Sequence, residues 1–165
     1  MKRILFTIVC CIMLCGCGAS NQETKLTFTA QGESTVPVTT ASTSPQELIT
    51  ITVYIPNENV DGFETVDISG KNLSVLDAMV QAGVLPDNIV INSFSWSDDT
   101  LTVDFGPELR ELICTQGTTG EYMIMGCIVN TLITLNDVKY IEVTVDGEIL
   151  ESGHIVYDYP MEFFT

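Results

Sequence analysis

Residues 121–135, EYMIMGCIVNTLITL, followed by residues 138–145, VKYIEVTV, decide the fold. In the first stretch Met125, Ile128, Val129 and Leu132 recur at i, i+3, i+4 and i+7, an apolar stripe along one side of a helix, with Gly126 and Asn130 opposite. In the second, Ile141, Val143 and Val145 alternate with Tyr140, Glu142 and Thr144, the pattern of a strand with one buried face, and Asp146-Gly147 marks a turn. A striped helix that hands over to a half-buried strand requires a helix packed on a sheet.

Working outward, the same two periods recur. Ile49, Ile51, Val53 and Ile55 alternate with more polar neighbours in a strand ended by Pro56-Asn57, and residues 63–68 read as a weaker second strand. Leu73, Leu76, Met79 and Val80 fall at helical spacing, so a helix of about ten residues is expected, with Asn72 as N-cap and Gly83 as the stop before Pro86. Val90, Phe94 and Trp96, then Leu101, Val103 and Phe105, flank Ser97-Asp98-Asp99-Thr100 and predict a hairpin with a two-residue connection. Pro107 opens a short helix through Ile113, and a polar, Gly-punctuated loop over 115–120 leads into the long helix, expected from Glu121. The sum is an α+β domain over residues 48–165: a mixed or antiparallel sheet of four to five strands with two main helices packed on one face.

The 165 residues carry 6 Lys+Arg against 22 Asp+Glu, a formal charge of −16. Such a chain repels nucleic-acid phosphates and gains nothing electrostatically from an anionic membrane surface. The amino terminus sets the compartment. Lys2 and Arg3 precede an apolar run over residues 4–14, shorter than the about 20 residues a membrane-spanning helix needs. Leu14-Cys15-Gly16-Cys17 then resembles a bacterial lipobox, so residues 1–16 read as a lipoprotein signal peptide and Cys17 as the acylated residue. Two acyl chains anchor stably where one is marginal, which places the protein on the outer face of the cytoplasmic membrane. After cleavage four basic residues (Lys25, Lys71, Arg110, Lys139) face 22 acids, a formal −18. Residues 17–47 comprise that cysteine and a Ser/Thr-rich tether too polar to build a core, with a reach of roughly 30 Å as a coil.

A family resemblance rests on particular residues. Leu101-Thr102-Val103-Asp104-Phe105, Pro107-Glu108-Leu109, the Gly-rich loop, Glu121, Ile128-Val129-Asn130-Thr131-Leu132, Val138–Val143 and Asp146-Gly147-Glu148 together resemble the GerMN domain of sporulation and spore-germination lipoproteins. Gly153-His154-Ile155 and Pro160 fit its closing segment. The resemblance implies an extracytoplasmic α+β module that works by protein–protein contact, with an envelope protein or with itself, and to which no catalytic residue is attached. The two-domain germination proteins of this group carry a tandem pair; this chain has room for one.

Candidate chemistry is sparse. Cys114 and Cys127 are the thiols of the mature chain besides the anchor, and outside the membrane they can close a disulfide across the Gly-rich loop or remain free; Cys127, off the apolar stripe, is expected to be partly exposed. His154 stands alone, without a nucleophile in a recognisable motif. Asp98-Asp99 suits a turn and Glu108 the first turn of a helix; Asp104 with Glu108 and Glu111 with Glu121 are the remaining acid pairs, and no calcium-loop spacing exists. No metal, cofactor or catalytic residue is expected. Asn130-Thr131, poor helix formers in mid-helix, either bond to neighbouring backbone or mark an interface. Phe94, Trp96, Tyr157 and Tyr159 carry more aromatic surface than a small core absorbs and are the other interface candidates. The expected function is a membrane-anchored interaction module. The alternatives are a binder of small molecules or cell-wall fragments, which needs a cleft of about 300 Å³ or more, and a wall hydrolase.

Mass analysis of the mature amino terminus checks the anchor. The expected species begins at Cys17 with a diacylglyceryl thioether, and Cys17→Ala should accumulate as uncleaved precursor.

Overall fold

The computed structural model describes residues 47–165; the expected signal peptide, Cys17 and nearly all of the expected tether lie outside the described residues. Strands β1 (Leu48–Pro56) and β2 (Phe63–Lys71) pair antiparallel along their whole length, from Leu48 opposite Lys71 to Pro56 opposite Phe63. They form a two-stranded sheet of their own. Next come α1 (Val75–Gln81), β3 (Ile91–Ser97), β4 (Thr100–Phe105), α2 (Pro107–Cys114), α3 (Thr118–Asn136), β5 (Tyr140–Val145), β6 (Glu148–Glu151) and β7 (Val156–Tyr157). The second sheet has the order β3-β4-β5-β6-β7; only β4 and β5 run parallel, so it is mixed and five-stranded, within the expected α+β class.

The parallel pair explains the core. Two helices lie between β4 and β5 in sequence, and the register sets Leu101 beside Ile141, Val103 beside Val143 and Phe105 beside Val145. All six side chains are buried, and they share one cluster with Leu109 and Ile113 of α2 and Met125, Ile128 and Leu132 of α3. The alternate positions form a polar face, where the Thr102 hydroxyl donates to Glu142 and Thr144 to Asp104. The expected hairpin is present, with Ser97 opposite Thr100 and Asp98 at φ 50°. At Asp146-Gly147 φ is 53° and 76°, the positive pair that a tight two-residue turn demands.

Three readings need correction. Helix α1 is capped by Ser74, not Asn72: the Ser74 hydroxyl accepts the Asp77 N–H while the Asp77 carboxylate accepts the Ser74 N–H, a capping box that shortens the helix to seven residues. Asn72 instead takes φ 54° in the turn before it, and Gly83, at φ 78°, ends the helix as expected. Helix α3 begins at Thr118, three residues early, with Gly117 as its N-cap. The third difference is the largest. The side of α3 that carries Gly126 and Asn130 is as buried as the apolar stripe, because β1, β2 and the C-terminal segment cover it. Strands β6 and β7 are too short to show a period in sequence. Beyond β6, Met161 exchanges both backbone hydrogen bonds with Ile141 and continues the edge of β5.

Gly126 shows how closely the layers meet. A Cβ there would lie 2.7 Å from Phe63 Cε1 and closer still to the ring tip. Gly126→Val is expected to destabilise the protein by about 1–3 kcal/mol through overpacking. In a urea-unfolding double-mutant cycle, Phe63→Ala should reduce that penalty, since the two sites share one contact.

Candidate functional site

Strand β3 is one edge of the five-stranded sheet, and it is exposed nearly throughout. Cross-strand register puts Phe94 beside Val103 and Trp96 beside Leu101, so both aromatics lie on the core face of the sheet, but at its rim. Their rings are 5.9 Å apart at 31°, and they remain 39% and 59% exposed. Across from them stand Ile49 and Ile51 of β1, Val75 of α1 and Leu135 of α3, lining a cleft of about 310 Å³. A second groove of about 440 Å³ continues on the other side of Phe94 and Val75 towards Val90 and Ile91. The core thus opens to solvent at this rim, where Ile49 and Leu135 are exposed. The cleft reaches the size that the small-molecule alternative requires.

The other interface candidates sort differently. Tyr159 is exposed, whereas Asn130, Thr131 and Tyr157 are buried and cannot meet a partner. The Asn130 amide donates to the Phe164 carbonyl (2.9 Å) and accepts the Phe164 N–H (2.8 Å), gripping the closing segment as a neighbouring strand would. Thr131 Oγ1 accepts the Tyr54 N–H at 3.0 Å and ties α3 to β1. Tyr157 donates at 2.7 Å to Oε1 of Glu121, a carboxylate fully buried in the first turn of α3. Glu121 Oε2 has no hydrogen bond; His154 Nδ1, on a half-exposed side chain, stands 3.4 Å away. Desolvation and then the carboxylate hold the Tyr157 phenol far above its ordinary range.

No bridge joins Cys114 and Cys127: both are free. Cys127 is completely buried, against the expectation of partial exposure, for the reason that buries Asn130: the far side of α3 is covered. Burial pushes its thiol up to about 12. Cys114 sits at the exposed end of α2, its Sγ 3.8 Å from the Glu151 carbonyl. The acid pairs separate as well. Asp99 occupies the β3–β4 turn, where its carboxylate meets Lys139 Nζ at 2.7 Å and its carbonyl accepts the N–H groups of Lys139 and Tyr140. Asp104 accepts from Thr144, Gly147 and Asn92, bonds led by Thr144 that hold its carboxyl below the usual range and pin the β5–β6 turn. Among the described residues no cluster of three or more His, Cys, Asp or Glu has a metal-binding arrangement, and no helix is long and apolar enough to cross a membrane.

The fold and its open rim define a small α+β module with exposed apolar side chains beside a cleft. The family model Germane, described as sporulation and spore germination, matches residues 25–151, and the chain belongs to that family. The match begins inside the stretch read as tether. No curated protein matches. Among solved structures, a Clostridium perfringens protein described as a lipoprotein is similar over 70% of this chain and 87% of its own, at 19% identity and a TM-score of 0.43. The tandem GerMN domains of the sporulation protein GerM from Bacillus subtilis are similar over 77% of this chain, at 18% identity and a TM-score of 0.49; this chain spans half of that one.

The buried acids generate a pH prediction. The Cys127 thiol and Tyr157 phenol are raised from ordinary values of 9.0 and 10.0, so the folded state keeps protons that the unfolded state releases. Their contribution to stability is whole below about pH 9 and is lost as pH climbs towards the raised values. Urea midpoints should fall with rising pH from about 9 upwards, and less steeply in Tyr157→Phe. That variant should already be weaker at neutral pH by about 1–3 kcal/mol, because the buried Glu121 carboxylate loses its donor.

Proposed function

We propose that this chain is a lipid-anchored extracytoplasmic interaction module. Cys17 holds the outer face of the cytoplasmic membrane, the following segment gives reach, and the folded domain binds an envelope protein or a second copy through the rim formed by β1, α1, β3 and the end of α3. The observation that carries this reading is the exposed apolar band of Ile49, Phe94, Trp96 and Leu135 around the cleft. Contiguous exposed apolar surface with an aromatic centre is what protein contacts use, and a soluble domain otherwise avoids it. Germane membership supports a setting in sporulation or germination. The reading requires no catalysis. Of the acids considered as catalytic pairs, Asp98 and Asp99 lie in a turn, Asp104 pins a turn, Glu121 is a buried tie, Glu108 sits half-buried in the first turn of α2 and Glu111 is exposed.

One observation favours a second reading: the cleft of about 310 Å³ is large enough for a small apolar ligand, with Thr50 and Asn136 as its polar groups.

Capture from membranes by the intact chain, with proteins identified by mass spectrometry, tests the first reading. A specific envelope protein, or the chain itself, should be recovered, and Trp96→Ala should weaken its capture about tenfold or more, as loss of a central aromatic anchor does. Equal recovery by both chains, or none by either, overturns it. A thermal shift with wall fragments or apolar solutes that Trp96→Ala abolishes would favour the second reading.

A further inference from the structure

We propose that the free edge of β3 pairs with the β3 of a second copy of this chain, antiparallel about a twofold axis through Ser95, joining two five-stranded sheets into one of ten. The proposal names the partner for the surface described above and rests on that reading.

The backbone supplies the first reason. Ser97 and Thr100 close a two-residue hairpin, so the alternation of an antiparallel ladder makes Ser97–Thr100, Ser95–Thr102 and Ser93–Asp104 the hydrogen-bonded pairs. The N–H and C=O groups of Phe94 and Trp96 therefore point away from β4. Among the described residues no other element bonds to them. An edge is ordinarily protected by Lys, Pro, an inward charge or a bulge. Between Ser93 and Ser97 there is none of these; the one irregularity, between Ile91 and Ser93, limits the usable edge to these five residues.

The register follows by elimination. Outward-pointing residues must face one another, which leaves three pairings. Phe94 opposite the partner's Phe94 would set Trp96 against the partner's Asn92, in the irregular stretch. Trp96 opposite the partner's Trp96 would set Phe94 against the partner's Asp98, in the turn. Only Phe94 opposite the partner's Trp96, with Ser95 on the axis, uses the straight segment from Ser93 to Ser97 in full. That pairing is self-complementary under a twofold rotation, as an isologous contact must be, and it joins two aromatic pairs into a cluster of four along the rims of both clefts.

Charge agrees. A chain of −16 should repel its own copy, yet residues 91–97 contain no charged side chain. In this register the nearest acids, Asp98 and Asp99, fall opposite the partner's Asn92 and Ile91 and not opposite acids.

The test is crosslinking of single-cysteine substitutions in the full chain in mild detergent, read on non-reducing gels. Ser95 meets the partner's Ser95 as a non-hydrogen-bonded pair with Cα atoms about 4.5 Å apart, within disulfide range. Ser95→Cys should form a covalent dimer on mild oxidation. Ser93→Cys and Ser97→Cys should each give only the background of the parent chain, set by Cys114, but a heterodimer when mixed, because each faces the other across the axis. Ser95→Cys giving no more dimer than the parent, or no more than Ser93→Cys alone, overturns the proposal. Sedimentation adds a second measurement. Ser95→Lys, on the polar face and clear of the core, sets two ammonium groups across the axis and should be monomeric at concentrations where the parent is dimeric; a parent that stays monomeric overturns the proposal. If Ser95→Cys fails while Trp96→Ala still loses a captured envelope protein, the edge has a different occupant and the interaction reading survives without the dimer.

Discussion

From Met125 to Leu132 helix α3 is buried on every side, and the rest of the structure answers to that. A helix between two sheets has no water for its polar side chains, so each must find a partner in the protein or lie unpaired at a cost of about 1–3 kcal/mol. Three buried polar residues on α3 meet this demand by fastening three distant parts of the chain. Glu121 takes the Tyr157 hydroxyl from β7, Asn130 takes both backbone groups of Phe164, and Thr131 takes the Tyr54 N–H of β1. Polar groups that would weaken an exposed helix become the points at which the outer layers are aligned. Gly126 belongs to the same design: without a side chain, it admits the Phe63 ring of β2 against the helix.

This arrangement spends the covering elements on one side of the molecule. The hairpin β1–β2, the closing segment and α1 shield α3 and the middle of the sheet, but β3 lies at the rim, where Phe94 and Trp96 have the sheet's apolar face beneath them and solvent above. Exposure of two large aromatics beside an open cleft is unfavourable for an isolated domain, and a contact that removes them from water repays it. The function proposed for this member of the Germane family grows from that imbalance. Acids are plentiful elsewhere and absent from the edge strand, so the surface is chemically distinct from the rest of a strongly negative molecule.

Much of the fold was legible because its signals are local. Alternation in β1, β4 and β5, the stripe of α3, Pro107 at the start of α2, Gly83 at the end of α1 and Asp146-Gly147 each depend on residues a few positions apart. The misreadings were local too where a better signal existed: Ser74 and Asp77 form a capping box that outranks Asn72 as a helix start. Strands β6 and β7, four and two residues long, carry no period to read.

What the chain alone determined, then, is the alternation of helix and strand, the acidity and the positions of the aromatics, since these follow from side-chain spacing and composition. Only the tertiary structure decided which of them are reachable. Burial of Asn130, Thr131 and Cys127 comes from β1, β2 and residues 161–164 folding over the back of α3, contacts between segments more than thirty residues apart. Exposure of Phe94 and Trp96 comes from the sheet order, which makes β3 an edge. Both are properties of long-range pairing, and no window of sequence contains the two partners at once.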